Sequence, residues 1–217
     1  GRNFTGHLEN ILTDKAIAVL SELNAAQEPW FLNLWYYAPH GPISPASEFA
    51  KNYPDTPAGK YQALVNQLDH NIGRVLAHLQ TLGAVHNTLI VLVSDNGGTI
   101  ASVDSNAPFS GNKNTLTEGG LRTPLVIKWP DNGINGQVIS DVVFIEDIYP
   151  TLLESIGVAS PADLDGNSLY SAVKKRVSIG ARERYWDHSM THDWVSYTGV
   201  SSDGRWRLHQ RPPQWGV

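Results

Sequence analysis

The sequence predicts an α/β fold in which helices sandwich a mostly parallel or mixed sheet. A helical pattern from Thr13 precedes the apolar segment 30–37, and a longer one at 64–82 precedes the apolar run 88–93. A third apolar run, 125–130, is followed by another helical pattern. Because strands that alternate with helices along a chain usually form a sheet covered by those helices, this order favours the α/β class.

Each helix is indicated by its apolar spacing and by its end signals. Thr13 is predicted as the N-cap of the first helix, whose apolar residues fall on one side. In the second helix apolar residues recur every three or four positions over 64–82, and Gly83 is expected to end it. Asp147 is predicted to cap a third helix that ends at Gly157.

Two long polar segments connect the predicted strands. Residues 43–59 contain several prolines, and residues 95–118 are too rich in glycine and polar side chains for regular structure. Loops of this length in a compact domain are usually functional or disordered. We expect the first to line the mouth of a site, and we expect the second to be functional, because candidate site motifs lie at its two ends.

The C-terminal part of the sequence changes to the alternation that is typical of antiparallel strands. Residues 195–199 and 205–209 flank Asp203-Gly204, a dipeptide favoured in hairpin turns. We therefore expect residues 1–180 to form part of an α/β domain and residues 181–217 to begin a small antiparallel β subdomain. A two-stranded piece of this kind is marginal by itself.

Composition excludes several classes of function. The chain has 217 residues, 41% of them hydrophobic, and a formal charge of −5, so nothing indicates a nucleic-acid-binding surface. It has no cysteine, which excludes disulfides and thiolate metal sites. No stretch is long and apolar enough to span a bilayer, and the first residues lack the apolar core of a signal peptide.

The most informative motif is S-D-N-G-G at residues 94–98, directly after an apolar run. Asp95 and Asn96 supply hard oxygen donors suited to Ca²⁺ or Mg²⁺, and the two glycines allow a sharp turn and a close approach to a small anion. The same residue types are common in turns that bind no metal. Taken by itself, this motif favours the turn.

Further motifs change that interpretation. Residues 38–42 read A-P-H-G-P at the end of the first apolar segment, and residues 111–124 read G-N-K-N-T-L-T-E-G-G-L-R-T-P before the third. From about residue 12 to 169 the chain resembles the formylglycine-dependent sulfatases of the alkaline phosphatase superfamily, in which these motifs occur in this order. Several ordered motifs are far more specific than one.

The resemblance implies roles for four residues. Asp95 and Asn96 would hold part of a Ca²⁺ shell, with Mg²⁺ less favoured. Lys113 would bind a sulfate oxygen, and His40 would protonate the leaving alcohol or donate to the sulfate. Sulfated small molecules or sulfated glycans would be the substrates, in a secreted, periplasmic or lysosomal-type compartment.

Other residues receive weaker assignments. Glu118 and Arg122 are interpreted as a structural pair that braces the loop before the third apolar run. Three residues near the C-terminus are candidates for contact with the organic part of a substrate, namely His188, His192 and Trp194.

The chain lacks several parts of the family's site. It contains no C-x-P-x-R or S-x-P-x-R sequence, from which formylglycine is made, and neither the early Asp-Asp pair nor the K-x-H pair. All of these precede the A-P-H motif in sulfatases. We therefore expect a truncated chain that is inactive alone, with formylglycine upstream. Two alternatives stay open: a related phosphate or phosphonate ester hydrolase or transferase, and a non-catalytic sulfatase-like binding module.

Overall fold

The computed structural model describes residues 4–99, 106–130, 136–180, 182, 184–187, 197–200 and 207–210. These residues fall into two compact units, here called unit 1 (residues 4–89) and unit 2 (the described residues from 90 to 210). The expected division at residue 180 into a domain and a subdomain stays a prediction.

Unit 1 is helical. It contains α1 (Leu8–Ala25), α2 (Ser47–Ala50), α3 (Pro57–Thr81) and a 3₁₀ turn (Val85–Asn87). Helices α1 and α3 pack together, and their buried apolar side chains form a small core: Ala16, Leu20, Ala63, Leu64 and Leu79.

The predicted long amphipathic helix is confirmed as α3. It begins where the Thr56 hydroxyl accepts a hydrogen bond of 3.1 Å from the Gly59 amide, with Pro57 at the first helical position. It ends just before Gly83, whose φ of +69° lies in the left-handed region. Within the preceding polar segment the structure adds the short helix α2, so that segment is not wholly irregular.

The prediction that Thr13 caps the first helix is wrong. The helix begins at Leu8, and Thr13 is a fully buried residue inside it. Its hydroxyl donates to the Glu9 carbonyl at 2.7 Å and lies 2.8 Å from the Tyr36 hydroxyl. A threonine can satisfy its hydroxyl in this way within a helix, which is why its type alone does not mark a helix start.

The segment 30–37 is expected from its sequence to be a buried strand, but it pairs with no described strand. It alternates between partly covered and exposed residues, and Phe31 and Trp35 are 72% and 80% exposed. The prediction of a buried strand is therefore not confirmed among the described residues, and the segment has one partly covered and one exposed face. A strand also needs a hydrogen-bonding neighbour, which the pattern itself cannot provide.

Unit 2 begins with an antiparallel pair, β1 (Ile90–Val93) and β2 (Leu125–Lys128), in which Ile90 faces Lys128 and Val93 faces Leu125. Leu92 and Val126 are exposed, so the pair is less buried than its apolar sequence predicts. All strand pairs among the described residues are antiparallel. The expected mostly parallel or mixed sheet is therefore not seen among the described strands.

The rest of unit 2 contains α4 (Glu118–Leu121), α5 (Ile148–Ser155) and α6 (Tyr170–Lys175), with a 3₁₀ turn (Ile145–Asp147) before α5. Asp147 occupies the predicted N-cap position, and Gly157 follows the helix with φ +75°.

The Asp147 side chain makes no capping hydrogen bond to α5 and has a different role. It is fully buried, accepts from the Phe144 and Asn167 amides at 2.7 and 2.8 Å, and pairs with both terminal nitrogens of Arg182 at 2.7 and 2.6 Å. Four donors satisfy this buried carboxylate, so it joins three separate segments of the unit.

The C-terminal strands are β3 (Arg184–Asp187), β4 (Tyr197–Val200) and β5 (Arg207–Gln210), which form one antiparallel sheet in that order. The pairing of β4 with β5 confirms the predicted hairpin, and β3 adds a third strand to the two expected. The Asp203-Gly204 turn, His188, His192 and Trp194 lie outside the described residues. Among the helices described, none is long and apolar enough to cross a membrane.

Candidate active site

His40 lies in a tight turn of unit 1, here called the His40 turn (residues 37–42). Its amide donates to the Tyr37 carbonyl at 3.0 Å, and the Tyr37 ring packs 4.8 Å from the imidazole. The Tyr37 hydroxyl donates to the Gly41 carbonyl at 2.8 Å, which closes the turn.

The imidazole of His40 is exposed and its tautomer follows from its partner. Nδ1 lies 2.8 Å from the Gly41 carbonyl oxygen. Because a carbonyl can only accept, Nδ1 must carry the proton in that bond. Nε2 is then the ring atom left for a substrate, as an acceptor when the ring is neutral and as a donor when it is protonated.

In unit 2 the two glycine-rich motifs are joined through their backbones. The Gly97 amide donates to the Gly120 carbonyl at 3.0 Å, and the Lys113 amide donates to the Gly98 carbonyl at 2.8 Å. The Gly119 amide also donates to the Ser110 carbonyl at 2.7 Å. Asp95, Asn96 and Lys113 therefore emerge from one hydrogen-bonded piece of backbone.

The glycines are required by this close approach. We call Gly97, Gly111, Gly119 and Gly120 the glycine cluster. A Cβ on Gly97 would lie 1.7 Å from the Gly119 carbonyl oxygen, and one on Gly119 would lie 2.1 Å from that of Gly111. Gly111 also has φ +86°, which side chains rarely adopt. The glycines recognised in the sequence therefore let one loop lie directly against the other.

The two predicted metal ligands lie at the rim of this cluster. Asp95 is exposed, and the structure records no hydrogen bond or ion pair between it and another described residue. Asn96 is half-buried; its side-chain amide donates to the Gly97 carbonyl at 2.9 Å, and the Ser94 hydroxyl donates to the Asn96 carbonyl. The Asp95 carboxylate and the Asn96 amide oxygen are thus available as hard donors.

These two residues fit part of a Ca²⁺ shell. Among the described residues no three histidine, cysteine, aspartate or glutamate side chains cluster in a way that could hold a metal ion. Since Ca²⁺ takes six to eight oxygen ligands, Asp95 and Asn96 would supply a minority of them.

Lys113 is half-buried, and its position is set by the turn that carries it. The Thr115 hydroxyl donates to the Asn112 carbonyl at 2.7 Å and lies 2.8 Å from the Thr117 hydroxyl. Both threonines of the T-x-T pattern therefore hold the loop rather than a ligand.

Asn106 is a positioning residue that the sequence analysis missed. Its side-chain oxygen accepts from the Gly98 amide at 2.8 Å, while its nitrogen donates to the Gly98 and Gly111 carbonyls at 3.0 and 3.1 Å. One amide side chain thus joins the two motifs. The one signal in the sequence was its place seven residues before Lys113, inside a polar segment where many asparagines look alike.

The predicted Glu118 and Arg122 pair is present at 3.5 Å, with both side chains about half exposed. Arg122 also lies over the Phe109 ring, 4.4 Å from its centre. This agrees with the structural role assigned to the pair from the sequence.

The structure thus brings Asp95, Asn96 and Lys113 together in unit 2, and it places His40 in unit 1. Convergence of all four on one cleft stays a prediction.

Two family models match the chain. The model described as Sulfatase matches residues 2–158, and the model described as N-sulphoglucosamine sulphohydrolase, C-terminal, matches residues 111–210. The first includes His40, Asp95, Asn96 and Lys113.

Among curated proteins, mouse N-acetylgalactosamine-6-sulfatase is 32% identical over 175 residues, which cover 78% of this chain and 33% of that protein. The chain spans about a third of the length of the first curated relatives it matches.

Among solved structures, Ps i-CgsB in complex with k-i-k-neocarrahexaose is 25% identical, with a TM-score of 0.88 over 99% of this chain and 48% of that one. A phosphonate monoester hydrolase from Silicibacter pomeroyi is 20% identical, with a TM-score of 0.69 over 97% of this chain and 55% of that one. The likenesses show an α/β fold of the sulfatase and alkaline phosphatase type.

Proposed function

Since the chain belongs to the sulfatase family, we propose that the protein containing it hydrolyses sulfate esters. To the active site of that protein this chain contributes four residues: His40, Asp95, Asn96 and Lys113. The observation that carries this proposal is the backbone connection between the two glycine-rich motifs, through which the Lys113 and Gly98 backbones share a hydrogen bond of 2.8 Å. This bond holds the loop that carries Lys113 against the loop that carries Asp95 and Asn96.

Lys113 supports hydrolysis by binding a non-bridging oxygen of the sulfate group. Negative charge shifts among the sulfur-bound oxygens as the ester bond breaks, so a positioned ammonium group stabilises the transition state. Its half-buried position raises the value of that contact, since water screens it less.

Asp95 and Asn96 would hold part of a Ca²⁺ site. When bound, the ion would neutralise the sulfate and help to orient the reacting groups. Ca²⁺ suits the site better than Mg²⁺, because it accepts more ligands in a less regular geometry and tolerates the two neighbouring side-chain donors found here.

His40 acts at the other end of the ester bond. With Nδ1 fixed to the Gly41 carbonyl, protonated His40 carries a second proton on Nε2 and delivers it to the departing alcohol oxygen. This matters most for alcohols that leave poorly without a proton.

The nucleophile is the formylglycine that the family resemblance implies, and no residue of this chain supplies it. The substrate is a sulfated small molecule or a sulfated glycan. Support for the glycan comes from the N-acetylgalactosamine-6-sulfatase relatives and from the oligosaccharide complex.

Turnover by the full-length protein tests the proposal. The protein is co-expressed with a formylglycine-generating enzyme and assayed with 4-nitrophenyl sulfate, with and without added Ca²⁺. Lys113→Ala should lower kcat/KM by about 10²- to 10³-fold. Lys175→Ala, which removes an exposed lysine of the same unit on α6, should leave it within about twofold.

Parallel substrates separate the alternatives. Faster turnover of an aryl phosphate or aryl phosphonate than of the sulfate would favour a related ester hydrolase. The protein is first confirmed by mass spectrometry to carry formylglycine. If it then turns over none of the three substrates, the aryl sulfate, phosphate or phosphonate, the result would favour a binding module.

A further inference from the structure

A carboxylate is buried beneath the His40 turn. Glu9 lies in the first turn of α1 and is only 3% exposed. Its Oε1 accepts a 2.8 Å hydrogen bond from the amide of Ala38, and Ala38 is itself 8% exposed. A buried carboxylate is costly unless its hydrogen bonds offset the loss of water, so its place under a loop implies that it holds that loop.

We propose that Glu9 is a positioning residue for His40. The proposal rests on the function proposed above, in which His40 protonates the leaving alcohol. Glu9 touches neither the imidazole nor a substrate; it acts by fixing the Ala38 amide, two residues before His40. It would therefore set the direction from which Nε2 approaches the ester oxygen.

Helix α1 holds the chain at two points just before His40. Besides the bond from Ala38 to Glu9, the Thr13 hydroxyl lies 2.8 Å from the Tyr36 hydroxyl and also donates to the Glu9 carbonyl. Tyr37 stands between these two anchored residues.

The side chain of Tyr37 passes this constraint to the imidazole. Its ring packs 4.8 Å from that of His40, and its hydroxyl donates to the Gly41 carbonyl that also receives His40 Nδ1. Because the Ala38 backbone is held in place, the backbone of the adjacent Tyr37 is held as well. The Tyr37 ring then limits the orientations that the His40 imidazole can adopt.

The other side of the carboxylate is also occupied. Glu9 Oε2 lies 3.3 Å from Nδ1 of His7, the residue that precedes α1. The same Nδ1 lies 2.9 Å from the side-chain nitrogen of Gln67, a fully buried residue of α3, and it either accepts from Gln67 or, when protonated, donates to Glu9. The carboxylate thus lies between His7 and the Ala38 amide, and its Oε1 holds the turn.

A matched pair of variants separates positioning from simple loss of stability. Glu9→Gln keeps an oxygen that can accept from the Ala38 amide. Glu9→Met has a similar volume and good helix propensity but no such acceptor. Asn71→Ala is the control, because Asn71 is fully buried and hydrogen-bonded to Asn10 and Arg74, and none of these bonds reaches the turn.

The kinetic readout is the dependence of rate on the leaving group. The full-length, formylglycine-containing protein is assayed with aryl sulfates whose phenols range from acidic to weakly acidic. Misplacement of a reacting group by about 1 Å costs on the order of 10²-fold. Glu9→Met should therefore lose about 10- to 100-fold in kcat/KM for the least acidic phenol and much less for the most acidic.

Glu9→Gln should stay within about threefold of the wild type across the series, since its amide oxygen still accepts from Ala38. Asn71→Ala should lower all rates by the same factor. A uniform loss in Glu9→Met, or an equal loss in Glu9→Gln, would overturn the positioning role.

Hydrogen exchange distinguishes this failure from failure of the proposed function. In the wild type and in all three variants, exchange is measured by mass spectrometry for the peptide that contains Ala38. Glu9→Met should expose that amide to exchange about tenfold faster, and Asn71→Ala should not. Unchanged exchange would refute the positioning role. Faster exchange, together with a His40→Ala variant that loses activity by the same factor for every leaving group, would instead refute the acid role of His40.

Discussion

The His40 turn and the glycine cluster hold site residues by opposite means. The turn is held by side chains, with Glu9 of α1 on the Ala38 amide and Tyr37 of the turn itself on the Gly41 carbonyl. The glycine cluster is held by direct backbone contact, with Gly97 against Gly119 and Gly120. A region held by side chains fails when one is removed, whereas a region held by backbone contact fails when an atom is added.

The largest effect is expected from adding one methyl group to the cluster. In Gly97→Ala the Cβ would lie 1.7 Å from the Gly119 carbonyl oxygen, so one loop must move. Insertion of a single methylene into a packed region lowers the free energy of unfolding by about 1–3 kcal/mol. Because the clash here is with rigid backbone, we expect a loss at or above the upper end of that range. Thermal unfolding and turnover of the full-length protein measure the loss.

Gly73→Ala is the matched control for this prediction. Gly73 lies inside α3, and a Cβ added to it would meet no atom within 4 Å. Alanine there should stabilise the protein by about 0.5–1 kcal/mol, because it favours the helix more than glycine does. Equal destabilisation by the two substitutions would contradict the idea that the cluster depends on backbone contact.

A smaller effect is expected from Asn106, the one side chain described above that joins the two loops. Asn106→Ala removes one accepted and two donated hydrogen bonds to Gly98 and Gly111. The free energy of unfolding should fall by about 1–3 kcal/mol, because the Gly98 amide and carbonyl lose these hydrogen bonds. Hydrogen exchange should rise in the peptide containing Gly98 and stay unchanged in the His40 turn.

Asn66→Ala provides the control for Asn106→Ala. Asn66 is exposed on α3 and donates to the Tyr53 hydroxyl at 2.9 Å. Its removal should change stability by no more than about 0.5 kcal/mol. If Asn106→Ala behaved in the same way, the backbone contacts alone would account for the cluster.

The sequence predicts the cluster better than the turn for a physical reason. A backbone contact needs glycine, and glycine is visible in the sequence at residues 97, 111, 119 and 120. The support of the turn depends on Glu9, an acidic residue in the first turn of a helix, which is ordinarily an exposed position. Glu9 is buried because of the way in which α1 packs in the unit, and the spacing of apolar residues does not predict this packing.

Two other differences between the sequence predictions and the structure also arise because packing cannot be read from local sequence. Thr13 resembles a cap because a hydroxyl residue precedes an apolar pattern, yet its hydroxyl is used inside the helix. Segment 30–37 resembles a strand because of its residue types, but strand pairing depends on a neighbour. Helix α3 is predicted from residue 64 to its end, since its apolar spacing and its terminal glycine are local signals, but its start at Pro57 falls in the segment expected to be irregular.

The smallest effect concerns Tyr36, the anchor before the His40 turn. Burial raises its pKa above the ordinary value, with the hydrogen bond to Thr13 opposing the rise. The unfolded phenol ionises near pH 10 while the folded one keeps its proton to higher pH. The stability that the folded state gains by keeping Tyr36 protonated is therefore present below about pH 10 and is lost as the pH rises through the pKa of Tyr36 in the folded state.

Tyr36→Phe should remove part of this alkaline loss, as measured by unfolding between about pH 9 and 11. Tyr61→Phe is the control, because burial also raises the pKa of Tyr61. Both variants should flatten the alkaline loss, but only Tyr36→Phe should speed hydrogen exchange in the His40 turn. Faster exchange in both would show that the Thr13 contact does not anchor the turn.

Whether the turn and the cluster serve one sulfate ester site is decided by a crystal structure of the full-length protein with Ca²⁺ and sulfate. We expect one sulfate with an oxygen within about 3.5 Å of Lys113 Nζ and another within that distance of His40 Nε2, beside a Ca²⁺ ligated by Asp95 and Asn96. The side-chain tips would then lie within about 10 Å of one another, as in a pocket of ordinary size. A structure in which His40 and Lys113 point to opposite faces of the sheet would refute a shared site.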